Sequence, residues 1–413
     1  MANIITEIKN IDNNIFTDEN LWLSEWDKMV EHKKTLRRCT RCLYDEEIPS
    51  ISFDEKGVCN YCNIHDELEE QYKTGDIGFA RLKEVSKKIK EEGKKKKFDI
   101  IVGVSGGADS SYLVILAKEL GLRPLAVHFD NTWDSTIAVE NISNVLKKLD
   151  VELWTYVVDN EEYDDIYRSF LQAGTPDLES PTDIALATTL RRAAQEHGIN
   201  YFFEGHSFRT EGLFPIGWLY MDAKYISNVQ KKFGTMKLKT FPNLWLSSQL
   251  KWMIIKRMKM IRPLWYVEYK KDEIKKMLSE EYGWQWYGGH HLENRITTFY
   301  HTYFLPRRFK IDTRIVGHAA HVRSNQMDRN EGLKLIFEEA PSSDLDLVNM
   351  VKKRLGYTDE EFVKLMMLPH KTFKDYKTYK PTFERFRPFF YLMAKMELIP
   401  MSFYIKYTSK NNV

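Results

Sequence analysis

An α/β fold built on a parallel sheet, preceded by a small four-cysteine element and followed by a mainly helical region, is what this 413-residue sequence predicts. Three observations predict it. Short β-branched runs alternate with helix-length segments between residues 98 and 204, one such run ends in a Ser/Gly-rich turn that opens a helix, and every cysteine lies upstream. Alternation of this kind implies βαβ units and a parallel sheet, with ligands outside the carboxyl ends of the strands.

The chain is long for a single core, because domains average roughly 100–200 residues. The reading divides it into an N-terminal segment (1–38), a four-cysteine ribbon (39–65), a helical linker (66–97), a nucleotide-type domain (98–250) and a mainly helical substrate or partner region (251–413).

All four cysteines fall within twenty-four residues as Cys39-x2-Cys42 and Cys59-x2-Cys62. Each Cys-x-x-Cys turn presents two sulfurs to one side, so two such turns close a tetrahedron around a soft cation, the pattern of a zinc ribbon. Gly57 and Pro49 suit the short hairpin between them. Two disulfides are the competing reading, disfavoured where thiols stay reduced, and an iron–sulfur cluster is the competing occupant. Four protein thiolates leave no open position for water, so the expected Zn²⁺ is structural. His65 reads as a surface residue.

Phe98 to Val104 forms an apolar run bounded by Lys94 to Lys97, and reads as a buried parallel strand. Ser105-Gly106-Gly107-Ala108-Asp109-Ser110-Ser111 follows, then a helix from Tyr112 to Leu120 stopped by Gly121. Strand, glycine turn and helix N-terminus together make an anion site, because the turn's amides and the helix's first amides converge with no side chain in the way. Ser105 and Ser110 add hydroxyl donors. The carboxylate of Asp109 would repel phosphate unless a metal ion stands between them. No Gly-Lys-Ser/Thr follows, so this is not a Walker loop, and the glycine spacing is not that of a dinucleotide fingerprint.

The rest of the domain reads in the same rhythm: strand Arg123 to Asp130, helix Thr136 to Leu149, strand Val151 to Val158, helix Asp183 to Gly198 and strand Tyr201 to Glu204. The loop Ser105–Ser110, the segment Phe129-Asp130-Asn131 and Gly205-His206 are thereby expected on one rim.

Ser-Gly-Gly-x-Asp-Ser after a strand resembles the PP-loop of the N-type ATP pyrophosphatases, with their adenine nucleotide alpha hydrolase-like fold. The resemblance implies ATP, its β,γ-pyrophosphate gripped by Ser105, Gly106, Gly107 and Ser110, with His128, Asp130 and Asn131 at the adenine and ribose and Gly205 nearby. Gly205-x5-Glu211 is similar to the turn that carries a Mg²⁺ ligand in NAD synthetases. Asp109 and Glu211 are therefore the expected Mg²⁺ carboxylates, and His206 and Arg209 the expected charge stabilisers at the α-phosphate.

Across most of its length the chain also resembles the N-acetyl sugar amidotransferases of bacterial surface-polysaccharide (lipopolysaccharide and pseudaminic-acid type) synthesis. The shared strings run from Arg38-Cys39-Thr40-Arg41-Cys42 to His291-x-Glu293-Asn294-Arg295-Ile296-Thr297-x-Phe299, then Tyr303-x-Leu305-Pro306 and Ser324-x-Gln326-Met327-x-Arg329. Where that family has Arg-Glu-Glu-Ala, this chain has Arg329-Asn330-Glu331-Gly332. The resemblance implies conversion of a sugar's acetamido group to an acetamidino group through an adenylate, on a nucleotide-sugar or sugar-acid substrate. No cysteine remains for a glutaminase nucleophile, so ammonia is expected from a separate glutaminase subunit with a cyclase-like barrel partner as precedent.

Lysine plus arginine (61) nearly balance aspartate plus glutamate (59), which argues against a nucleic-acid-binding chain. Locally, fourteen basic residues face three acids between Lys224 and Lys276, and this stretch, with His290, His291, Glu293 and Arg295, is the expected receiver of an anionic substrate. The alternative is a set of solvated helix faces. Trp284, Trp286 and Tyr287 read as core or as stacking platforms. No run approaches the eighteen or so apolar residues of a membrane helix and no signal-type leader opens the chain, so a cytoplasmic location is expected. A PP-loop tRNA-modifying enzyme is the alternative function and a non-catalytic nucleotide-binding scaffold the third. Known thiolases of this kind need cysteines near the nucleotide, and here all four are in the ribbon.

Overall fold

The computed structural model describes residues 13–215, 217–289, 292–341, 343–396, 399 and 401–408. Its centre is a five-stranded sheet in the order β3-β2-β1-β4-β5, every pairing parallel. The strands are β1 (Ile100–Gly103), β2 (Pro124–Asp130), β3 (Leu153–Val157), β4 (Tyr201–Phe203) and β5 (Lys259–Ile261). The order reverses between β1 and β4, which makes the carboxyl ends of these two strands the crevice of a doubly wound sheet.

Period-two alternation along β1 decides which layer each side chain joins. Ile100 and Val102 pack with Leu113, Leu116, Ile142 and Leu146 of the helices Ala108–Glu119 and Thr136–Leu149. Ile101 turns to the other face with Val127, Phe202 and Ala193 of the helix Ser180–Glu196. Both faces of the central strands are covered, which is why they read as unbroken apolar runs. The helix after β1 starts at Ala108, four residues before the sequence expectation, because the loop itself forms its first turn. The helix Asn160–Ala173, followed by Ser180–Glu196, fills the crossover from β3 to β4. The sheet does not stop at residue 250: Glu204 donates its amide to the Ile261 carbonyl at 2.9 Å as β5 lies down beside β4.

At the N-terminal side, the helix Glu19–Thr35 packs Trp22, Trp26 and Val30 against Phe337 and Ala340. The cysteine ribbon follows, and its core merges with Ile315, Val316, Ala319 and Val322 of the helix Arg314–Arg323. Beyond residue 294 the regular elements among the described residues are all helices, including a π-helical stretch Tyr300–Phe309 that contains Pro306. The helix Leu345–Leu355 returns to the sheet rim, where Arg354 stacks 3.8 Å over the Trp133 ring and binds Asp164 at 3.0 Å. No helix among the described residues is long and apolar enough to cross a membrane.

Candidate active site

Gly106 has φ +82°, and a Cβ there would lie 2.3 Å from the Ala138 carbonyl oxygen, so the loop after β1 closes only with glycine at this position. Its carbonyl is held by Trp284 Nε1 at 2.9 Å and Asn141 Nδ2 at 3.2 Å. Inside the loop, the Ser105 amide donates to Ser110 Oγ at 3.2 Å and Ser110 Oγ donates to the Gly107 carbonyl at 3.2 Å. The loop is thus shaped by its own serines and by two side chains from outside it.

Over its open side stands the Glu293 carboxylate, accepting Ser105 Oγ at 3.1 Å, with the Tyr287 hydroxyl beside Gly107. Glu293 is placed by a short antiparallel pairing in which the Ser135 amide donates to the Glu293 carbonyl at 2.9 Å and the Arg295 amide donates to the Trp133 carbonyl at 2.9 Å. Asn294 completes the junction, its amide donating to Asn131 Oδ1 at 2.8 Å and Asp134 Oδ1 at 2.9 Å.

Asp109, on the first turn of the helix, accepts the Tyr269 hydroxyl and Lys271 Nζ, the latter at 2.8 Å. Both partners arrive on the segment after β5. Glu211, in the turn after β4, faces the same place: burial, then the charges of Asp109, Glu204 and Glu293, hold its carboxyl well above the usual range against the pull of Lys271. Burial alone would lower the Lys271 ammonium, but Asp109, Glu211 and Glu293 together raise it. These carboxylates act on one ammonium, whereas the donor atoms that converge within 4.8 Å among the described residues, besides the four cysteines, are those of His128, Asp130 and Asp134.

Of the residues singled out in the sequence, Ser105, Gly106, Gly107, Ser110, Asp109, Gly205, Glu211 and Glu293 meet at this rim. His128 lies one strand over, with Nδ1 at 2.9 Å from the Val104 carbonyl and Nε2 at 3.2 Å from Asp134. Asp130 and Asn131 turn back on the chain: Asp130 Oδ1 accepts the Thr132 amide at 2.7 Å and Asn131 Oδ1 accepts the Trp133 amide at 3.0 Å. His206 Nε2 meets the Gly212 carbonyl at 2.9 Å, and burial lowers its proton affinity against the pull of Glu204 and Asp109. Arg209 is turned from the loop toward Glu69, 7% exposed. Arg295 is exposed. His290 and His291 lie outside the described residues. Tyr269, Lys271 and Asn141 went unnoticed in the sequence; Lys271 was visible only as one of fourteen basic residues in its stretch.

The four cysteines come together and are unbridged. Their sulfurs lie within 4.8 Å of one another, with Cys39–Cys62 at 3.8 Å and Cys42–Cys59 and Cys59–Cys62 at 3.6 Å. A tetrahedron with metal–sulfur bonds of about 2.3 Å has edges of about 3.8 Å, so the set fits Zn²⁺. Such a centre keeps a net negative charge, and basic residues surround it: Arg323 reaches Cys42 Sγ at 3.2 Å, and Arg329 holds the Cys39 and Cys42 carbonyls at 2.9 and 3.1 Å. His65, expected at the surface, is buried behind Phe208.

Residues 293–389 match the family model described as LPS biosynthesis protein WbpG-like, C-terminal domain. An uncharacterized protein of Methanocaldococcus jannaschii is 28% identical over 174 residues, 41% of this chain and 58% of its own length. The tRNA-specific 2-thiouridylase MnmA of Proteus mirabilis is 32% identical over 129 residues, 28% of this chain and 35% of its own length. The chain therefore spans less than two thirds of the archaeal relative and about a third of the thiouridylase. NMN synthetase from Francisella tularensis superposes with a TM-score of 0.29 at 13% identity, over 68% of this chain and 95% of that one, a likeness too low to bear on the fold.

Proposed function

We propose, for a chain that carries a WbpG-like C-terminal domain of lipopolysaccharide biosynthesis behind a PP-loop sheet, an ATP-dependent ligase acting in surface-polysaccharide synthesis. The reaction is conversion of a sugar's acetamido group to an acetamidino group. What supports it is one arrangement: the Gly106–Gly107 loop at the sheet's switch point, with Asp109, Glu211 and Glu293 gathered about Lys271.

An amide oxygen is a weak nucleophile and its carbon a poor electrophile, so ammonia does not add unaided. Attack of the amide oxygen on the α-phosphorus of ATP breaks the bond to the β-phosphate, releases pyrophosphate and, with loss of the N–H proton, leaves an O-adenylyl imidate. Ammonia then adds to the carbon, and AMP departs with the oxygen. The amides after Gly106 and the helix N-terminus starting at Ala108 hold the departing pyrophosphate. Lys271, now on Asp109, supplies the positive charge opposite the phosphates. Mg²⁺, held by Asp109 and Glu211 with Glu293 adjacent, would offset the repulsion between these carboxylates and the nucleotide. Ammonia comes from a separate glutaminase subunit, since all four cysteines belong to the ribbon.

Incubation with ATP, Mg²⁺, ammonium and diacetamido nucleotide sugars tests the reading. AMP release with a loss of about one dalton from the sugar is expected, because NH replaces oxygen. AMP formed with no change in sugar mass across the series would overturn it. The thiouridylase likeness favours a second reading, adenylation of tRNA. Against it stands the absence of any cysteine outside the ribbon; tight, strongly salt-dependent tRNA binding would decide for it.

A further inference from the structure

The ribbon and the turn bearing Glu211 are about 140 residues apart in the chain and are joined by a run of polar contacts. The helix Asn60–Gln71 starts beside Cys59 and carries Cys62, His65 and Glu69, which at this spacing share one face. Each carboxylate oxygen of Glu69 takes one N–H of Arg209, from Nε and from Nη2, both at 2.8 Å. Such a two-pronged pair fixes orientation as well as distance. The remaining Arg209 donors reach the Trp265 carbonyl at 3.0 Å and the Tyr72 carbonyl at 2.7 Å. Behind the pair, His65 Nε2 lies 3.4 Å from Glu69, and the imidazole packs edge-on against Phe208 with ring centres 5.2 Å apart. From the ribbon's other knuckle, the Tyr44 hydroxyl donates to the Leu213 carbonyl at 3.1 Å.

The turn is thus gripped at Arg209 and at Leu213, and Glu211 lies midway between the two grips. Between the two grips, Glu211 stands within reach of the charges of Asp109, Lys271, Glu204 and Glu293.

We propose that the four-cysteine ribbon is a brace for the Glu211 turn, and that Glu69 is the positioning residue through which it acts. Closing the ribbon on its metal fixes the start of the helix, the helix fixes Glu69, and Glu69 fixes Arg209 two residues before the carboxylate. Linkage makes the effect mutual: whatever ligand engages Glu211 also tightens the ribbon. The consequence for nucleotide binding rests on the functional reading above, whereas the brace itself does not.

The test separates the two. In the full zinc-loaded chain, hydrogen–deuterium exchange of residues 205–213 is compared for wild type, Glu69→Gln, Tyr44→Phe and chelator-stripped protein. Faster exchange across the turn is expected in all three altered forms, largest after zinc removal, with zinc retained at one per chain by mass spectrometry in the two variants. Unchanged protection in zinc-loaded Glu69→Gln overturns the brace. If that variant loses zinc or fails to fold, Tyr44→Phe, which removes one hydroxyl, decides on the same criterion. Calorimetry with Mg²⁺ and β,γ-methylene ATP then reads the consequence. Glu69→Gln is expected to weaken binding by about tenfold, within the usual range of coupling between sites. Wild-type protein that binds no nucleotide would end the functional reading and leave the exchange result standing.

Discussion

At the ribbon, every sulfur that faces the centre comes from one stretch of twenty-four residues, whereas at the phosphate loop Ser105 meets a carboxylate 188 residues away. Both places crowd negative groups. At the ribbon four thiols stand 3.6 to 3.8 Å apart along the edges that are in contact, with arginines only around the outside. At the loop, the protein supplies its own cation, Lys271, in the middle of the carboxylates. The difference teaches that the ribbon's donor set is complete within one short stretch and offers a place for an added ion, while the loop's shape depends on distant parts of the chain being folded.

The largest expected effect follows from the first half of that contrast. Cys62→Ser removes one of four ligands, and structural zinc contributes about 10–16 kcal/mol of apparent binding energy in small zinc modules. Zinc content should fall from one per chain toward none, with early loss of the ribbon's protection in thermal unfolding. A variant that keeps its metal and its melting curve would break the comparison.

Next comes the loop. Gly106→Ala places a methyl 2.3 Å from the Ala138 carbonyl oxygen and forces a positive φ, so nucleotide affinity by calorimetry should fall by about a hundredfold, or roughly 2.7 kcal/mol, with zinc content unchanged. Lys271→Met leaves the carboxylates without their cation, and pyrophosphate release should drop by about ten- to a hundredfold. Retained activity in that variant would mean that the ammonium only neutralises Asp109.

The smallest effect on either site sharpens the comparison from outside both. Glu179 is buried, accepts Thr297 Oγ1 at 3.0 Å, and burial followed by the charge of Asp183 pushes its carboxyl up to about 8. A carboxyl raised in the folded state lends stability below its ordinary value of about 4.3, and that contribution is lost as pH rises toward the folded value. Glu179→Gln should therefore match wild type near pH 4 and exceed it by several kcal/mol, up to roughly 5, above pH 8, measured by urea unfolding across the range. Equal stability at both ends would show that Glu179 is ionised in the folded protein.

Much of the sheet was legible because its signals are local. Four strands announce themselves as apolar runs, and Gly106-Gly107 marks the loop without reference to any other part of the chain. β5 was not legible: Lys-Met-Ile is three residues long, mostly exposed, and sits inside a basic stretch. Lys271 shares that stretch with lysines that face solvent, and nothing in its neighbours distinguishes it. Arg209 illustrates the converse. Its place two residues before Glu211 suggested a phosphate, yet the guanidinium points back to Glu69, because side-chain direction in a turn is decided by what packs beneath it.

Taken alone, the sequence determined that the four cysteines gather, that a glycine loop joins strand to helix, and the parallel order of strand and helix, while the pairing of Asp109 with Glu211 came from resemblance. The first three follow from spacing and periodicity over a few residues, where chain geometry leaves little choice. Only the tertiary structure decided that Lys271 and Glu293 complete the loop's surroundings and that the ribbon grips the Glu211 turn through Glu69. Such contacts join residues more than a hundred positions apart, and their partners are selected by packing and charge in three dimensions, which no local pattern encodes.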